Sequence, residues 1–149
     1  MKKTTALLIA VAISLSITSA AYARNTQYFL PINNAMNTKA AQEKLDKSLK
    51  FFFGDQQHPP ILTNLGSGVS NRKTNSFSKS DLNACNWGFL SAILSLQDRA
   101  HQLGANAVVH IVSYYDKNEI ANQANFECHA GGVVAGVALK GDFVKIAGR

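Results

Sequence analysis

Apolar residues recur along this chain in two different spacings, and the switch between them divides it into elements. Leu82, Cys85, Phe89, Ala92, Ile93, Leu96, Ala100 and Leu103 fall three and four apart, the core-facing stripe of an amphipathic helix. Ser80 or Asp81 is placed to cap its start, and Gly104 to end it in a left-handed conformation. Residues 106–115 are dense in Val and Ile on both faces, which predicts a strand interior to a sheet. Ala124, Phe126 and Cys128 then alternate with Asn125, Glu127 and His129, the pattern of a half-buried strand. A last long strand is predicted over 133–146, interrupted at Gly141-Asp142.

The first half is less regular. Residues 27–32 read as a short strand that Pro31 confines to an edge or a strand end. Asn37 or Thr38 caps a modest helix to about Ser48, and 49–53 is a strand ended by Gly54-Asp55. From Gln56 to Lys79 the chain is rich in Gly, Pro, Ser, Asn and Lys and is predicted to be a long loop, with a short strand at 61–65. The sum is an α+β domain: a largely antiparallel sheet with one long and one short helix packed on it. Opposite its core stripe the long helix carries Trp87, Leu90, Leu94 and His101. A helix apolar on two sides is buried on two sides, here by the N-terminal segment or by another chain.

The first residues change the compartment. Lys2 and Lys3 precede an uncharged, mostly apolar stretch over 4–17, and Ala21-Tyr22-Ala23 fits a small-x-small cleavage site. This predicts a signal peptide over 1–23, cleaved after Ala23, and a single domain over 24–149 that is periplasmic or secreted. The apolar stretch is too short for a spanning helix, and the cleavage point has no cysteine for a lipid anchor. Losing Lys2 and Lys3 lowers the net charge from +6 to +4, and the remaining cations are scattered, unlike a nucleic-acid footprint.

Cys85 and Cys128 are the only cysteines. In an exported chain of this size two cysteines form a disulfide, and closing a loop of about 43 residues stabilises by roughly 4 kcal/mol. There is no C-x-x-C, and neither cysteine has the close second ligand of a zinc site.

The junction Leu103-Gly104-Ala105-Asn106-Ala107-Val108-Val109 resembles the helix-to-strand junction of YbjQ-like and RcsF-like domains. Ala84-Cys85-Asn86-Trp87, Leu96-Gln97-Asp98-Arg99-Ala100, Ile111-Val112-Ser113-Tyr114-Tyr115 and Glu127-Cys128-His129-Ala130-Gly131 are similar to one group in particular. Its members are small exported bacterial proteins that carry the label excinuclease ATPase subunit. The resemblance covers roughly 51–146 and implies the fold but no activity. RcsF-like domains imply envelope sensing through protein contacts, and YbjQ-like domains imply self-association. RcsF itself differs in its lipid anchor and second disulfide. The ATPase label fails on the residues. Ser67-Gly68-Val69-Ser70-Asn71-Arg72-Lys73-Thr74 ends like a P-loop but has Ser67 and Arg72 where the required glycines belong.

The remaining chemistry is sparse. His58, His101, His110 and His129 form no H-x-x-H or H-x₃-H pair. His110 and His129 are expected on neighbouring strands, but no metal site and no cofactor is assigned. No G-x-S-x-G occurs, and Asp116 and Glu119 fall in a turn where solvated charge is ordinary. Two readings result. The first is a non-enzymatic, envelope-associated module that binds a protein or itself through Trp87, Leu90, Leu94 and His101. The second is a small-ligand, metal-binding or catalytic protein using the 56–79 loop, with His58, Arg72 and Lys73, against the sheet near His110.

Overall fold

The computed structural model describes residues 23–148; the signal-peptide prediction lies, but for Ala23, outside them. The chain runs β1 (Thr26–Pro31), α1 (Ile32–Met36), α2 (Lys39–Lys44), β2 (Lys50–Phe53), β3 (Ile61–Asn75), α3 (Asp81–Leu103), β4 (Ala107–Ser113), β5 (Asn125–Ala130) and β6 (Val134–Ile146). The six strands form one sheet in the order β1-β5-β6-β4-β2, with β3 along the remaining edge of β6. All pairs are antiparallel except β2 with β4. This is the mixed, antiparallel-dominated α+β architecture that the spacing predicts.

The long helix forms as its sequence directs. The Ser80 hydroxyl accepts from the Asn83 N–H, and Gly104 closes the helix at φ 71°. The stripe from Cys85 to Ala100 is buried against the sheet, whereas Leu82, the first residue of the expected stripe, is half exposed on the opening turn. Phe89, Phe126, Leu139 and Phe143 fill the space between helix and strands, and Cys85 is bridged to Cys128 of β5.

Asp81 opens α3, where the partial positive charge of the helix end favours a carboxylate. The Arg24 guanidinium donates to both Asp81 oxygens at 2.7 and 2.9 Å and to the Gly131 carbonyl at 3.0 Å. The Tyr28 hydroxyl donates to Asp81 as well. The residue expected first after cleavage is therefore clamped between the helix start and the β5–β6 turn. Arg24, then Tyr28, hold the Asp81 carboxyl down to about 2. A carboxyl with a depressed folded pKa stabilises above its unfolded value, roughly 4, and loses that contribution as pH falls through the folded one. Asp81→Asn is expected to lower the melting temperature at neutral pH, with the gap to wild type closing between pH 4 and 2. A gap that stays constant over that range would show that the clamp is not pH-linked.

Four expectations change. The helix predicted to about Ser48 stops early: Thr38 caps α2, but Leu45 is extended and Asp46 is held by Gln97 of α3 instead of continuing the turn, and α1 forms ahead of it where no helix was predicted. Most of the predicted loop over 56–79 is a strand of 15 residues. Its Ser, Asn and Gly content disguises a ladder supplied by β6, which pairs with it from Ile61 to Asn75. The last strand runs unbroken through Gly141-Asp142. Glycine is needed there for contact, since a Cβ at Gly141 would lie 2.7 Å from Val108 Cγ1. The alternation in β5 marks two covered faces, with Glu127 only 4% exposed. Of the two covers expected for the second helix stripe, the N-terminal segment supplies much. Leu90 is buried, His101 pairs with Asp46 at 3.0 Å, and Gln97 ties the helix to the Lys44 carbonyl and the Asp46 N–H. Leu94 is half-buried, and Trp87 is left 40% exposed beside a groove between α2 and α3.

Candidate functional site

Strand alternation places Phe51 and Phe53 toward the main core and Lys50 and Phe52 on the opposite face. On that face Phe52 joins Ala107, Val109, Val144 and Ile146 in a second, smaller core. Beyond Gly54, whose φ of 54° turns the chain, residues 57–60 fold back over this surface. The two prolines hold the segment extended, since each fixes its own φ and biases the residue before it. Between the segment and the strands lies a cleft of about 830 Å³. Phe52, Pro59, Pro60 and Ile146 give it apolar walls, and Lys50, His58 and Ser48 bring polar groups to it. Asn106 at its side is already satisfied, exchanging hydrogen bonds with the Ile146 backbone at 2.7 and 3.0 Å.

His58 stands where the cleft meets β4. Its ring lies edge-on to Phe52 at 5.6 Å and to His110 at 5.8 Å. Its Nδ1 is 2.8 Å from the Pro59 carbonyl, which only accepts, so Nδ1 carries the proton and Nε2 is free to accept. His110 sits in a bulge of β4 opposite β6, at φ 48°, a conformation unusual for a residue with a side chain. Bulges re-aim side chains, and here His110 Nδ1 comes within 3.3 Å of the Asp142 carboxylate. Asp55 and Gln56 border the same rim. Among the described residues, no three His, Cys, Asp or Glu side chains converge as metal ligands do.

His129 is not beside His110, since β6 stands between β5 and β4 in the strand order. It donates through Nε2 to Glu127 Oε1 at 2.7 Å, with Tyr115 stacked on its ring at 3.5 Å. Gln27 donates to the same oxygen. Arg72 and Lys73, expected with His58 on a ligand loop, lie on β3; Arg72 reaches across α3 to the Ser95 hydroxyl. The histidines hydrogen-bond to carboxylates or a carbonyl, and none meets a hydroxyl or thiol among the described residues. The cleft thus keeps His58 of the expected residues and adds Lys50, Phe52 and, across His110, Asp142. Lys50 and Phe52 were legible only as part of a strand over 49–53 that is apolar on both faces at 51–53; the bulge that joins His110 to Asp142 left no sequence signal.

Compared with protein families, with curated proteins and with solved structures, the chain matches none. No helix among the described residues is long and apolar enough to cross a membrane.

Proposed function

We propose that this chain is an exported, non-enzymatic binding module that holds a small, partly apolar anion in the cleft beneath residues 57–60. The observation that carries this reading is the combination of apolar walls with a lysine and an imidazole in one concave site. An aromatic or aliphatic body would lie on Phe52, Pro59, Pro60 and Ile146. A carboxylate would take charge-assisted hydrogen bonds from Lys50. The absence of a paired nucleophile and base among the described residues favours binding over turnover.

Export rests on the leader over 1–23 and places the protein in the periplasm or outside the cell. The Cys85–Cys128 bridge supports that, because disulfides persist in oxidising compartments. The YbjQ-like and RcsF-like resemblance enters this reading from the sequence motifs within 51–146. Association with an envelope protein is the second reading, and the exposed indole of Trp87 favours it.

A thermal-shift panel of aromatic and long-chain carboxylates with their neutral amides tests the first reading. The expected result is a saturable rise in melting temperature with carboxylates, and affinity about tenfold weaker in Lys50→Met. A melting temperature that no compound moves, or amides that bind as well as acids, would remove this function.

A further inference from the structure

Every strand edge must be paired, covered or guarded, because its free N–H and C=O groups are a template for another strand. β3 pairs with β6 on one side only, and no strand among the described residues covers its other edge. The ladder states which groups are free. Ser76 donates its N–H to Val133, so the even-numbered residues 68–74 face β6 by the alternation of antiparallel bonds. Ser67, Val69, Asn71 and Lys73 therefore turn their backbone groups outward.

The two ends of this edge are closed by its own side chains. Asn64 Oδ1 accepts from the Gly66 N–H, and the Lys79 ammonium donates to the Asn75 carbonyl. The stretch between has no such protection. Arg72 is exposed, but its guanidinium is turned to the α3 face, where it donates to the Ser95 hydroxyl, which leaves Lys73 as the cation beside the outward backbone groups.

We propose that this edge pairs with the same edge of a second copy, antiparallel, about a two-fold axis at Asn71. That register sets Val69 opposite Lys73 and Ser70 opposite Arg72, so no two cations face each other. Moving the axis to Lys73 would oppose two lysines, which is destabilising. Moving it to Val69 would shorten the regular pairing from 67–75 to 67–71, because the bulge between Asn64 and Ser67 interrupts the strand beyond. The Asn71 axis pairs Ser67 with Asn75 and leaves residue 77 of one copy beside the bulged end of the other's strand. Phe77 and Leu62, at opposite ends of the edge, are each 68% exposed. The pairing carries Phe77 of each copy toward the end of its partner's strand that bears the exposed Leu62. Pairing with itself thus satisfies the backbone and both apolar ends together, which argues for a second copy rather than an unrelated peptide. The proposal stands independently of the cleft, which lies by β2 and the C-terminal end of β6.

Sedimentation equilibrium of the purified chain tests it, beside Asn71→Lys, which places like charges on the axis at an exposed position. The expected result is a concentration-dependent dimer whose dissociation constant rises about tenfold or more in the variant. Asn71→Cys reads the register directly, since oxidation should link two copies through position 71. Hydrogen exchange should show the Val69, Asn71 and Lys73 amides slowing as concentration rises. A monomer at the highest attainable concentration, a dimer indifferent to Asn71→Lys, or protection of those amides only when a different protein is added would each overturn it.

Discussion

Replacing Cys85 and Cys128 together by alanine is expected to remove about 4 kcal/mol of stability, read as a drop in the denaturation midpoint with a steeper slope from the more expanded unfolded chain. The bridge joins the second turn of α3 to the middle of β5 across a separation of 43 residues, and both cysteines are fully buried. Cutting it frees the loop that contains most of α3 and all of β4, so the unfolded chain gains most of what the pair had withheld. Small domains have about 5–15 kcal/mol in total, so the variant should lie near its unfolding limit in the cold and lose structure on mild heating. Alkylating the native, unreduced protein should modify neither sulfur. A loss below about 1 kcal/mol would mean that helix and strand hold their positions by packing alone.

The second large effect is expected at Phe126. Its ring meets Phe89 of α3 at 4.4 Å, and Phe89 in turn lies 5.9 Å from Phe53 of β2. These three aromatics connect the helix to two strands that do not touch each other in the sheet. Phe126→Ala should cost about 3–5 kcal/mol, because the rigid ladder around it cannot collapse into the space. Phe126→Leu, which keeps much of the volume, should cost far less. Phe126 and Cys128 point to the same side of β5, so combining Phe126→Ala with the alanine pair should not give additive losses. Equal effects for Ala and Leu would show that the site relaxes and that the aromatic stack is not what joins the layers.

The helix, the strands and the inward side of Phe126 are legible in the sequence, whereas its stack on Phe89 and Phe53 is not, and the reason is local. Ser80, the three-and-four spacing of α3 and Gly104 specify a helix whichever sheet receives it. Val and Ile on both faces of 107–113 specify a strand with covers on both sides. Cys85 lies on the core stripe and Cys128 among the inward residues of its strand, which is compatible with the pairing that export and a count of two cysteines predict. Elements whose own residues demand burial are legible from the chain alone.

What the chain could not reveal depends on partners remote in sequence. The 61–75 segment has the composition of a loop and becomes a strand because β6 offers it a ladder, a gain no local pattern records. Glu127 and His129 look solvent-facing by alternation, yet Tyr115 and Gln27 arrive from other elements to cover and pair them. Leu90 on the second stripe is buried within the chain, and Gln97 and His101 are tied to the segment before β2. The cleft itself arises where β2, residues 57–60 and the end of β6 converge. Periodicity determined which residues seek burial, and therefore most of the elements, while the leader and the count of two cysteines predicted the disulfide. Only the tertiary structure decided which of them cover one another, because that choice depends on strand order and close packing, which are summed over the whole chain.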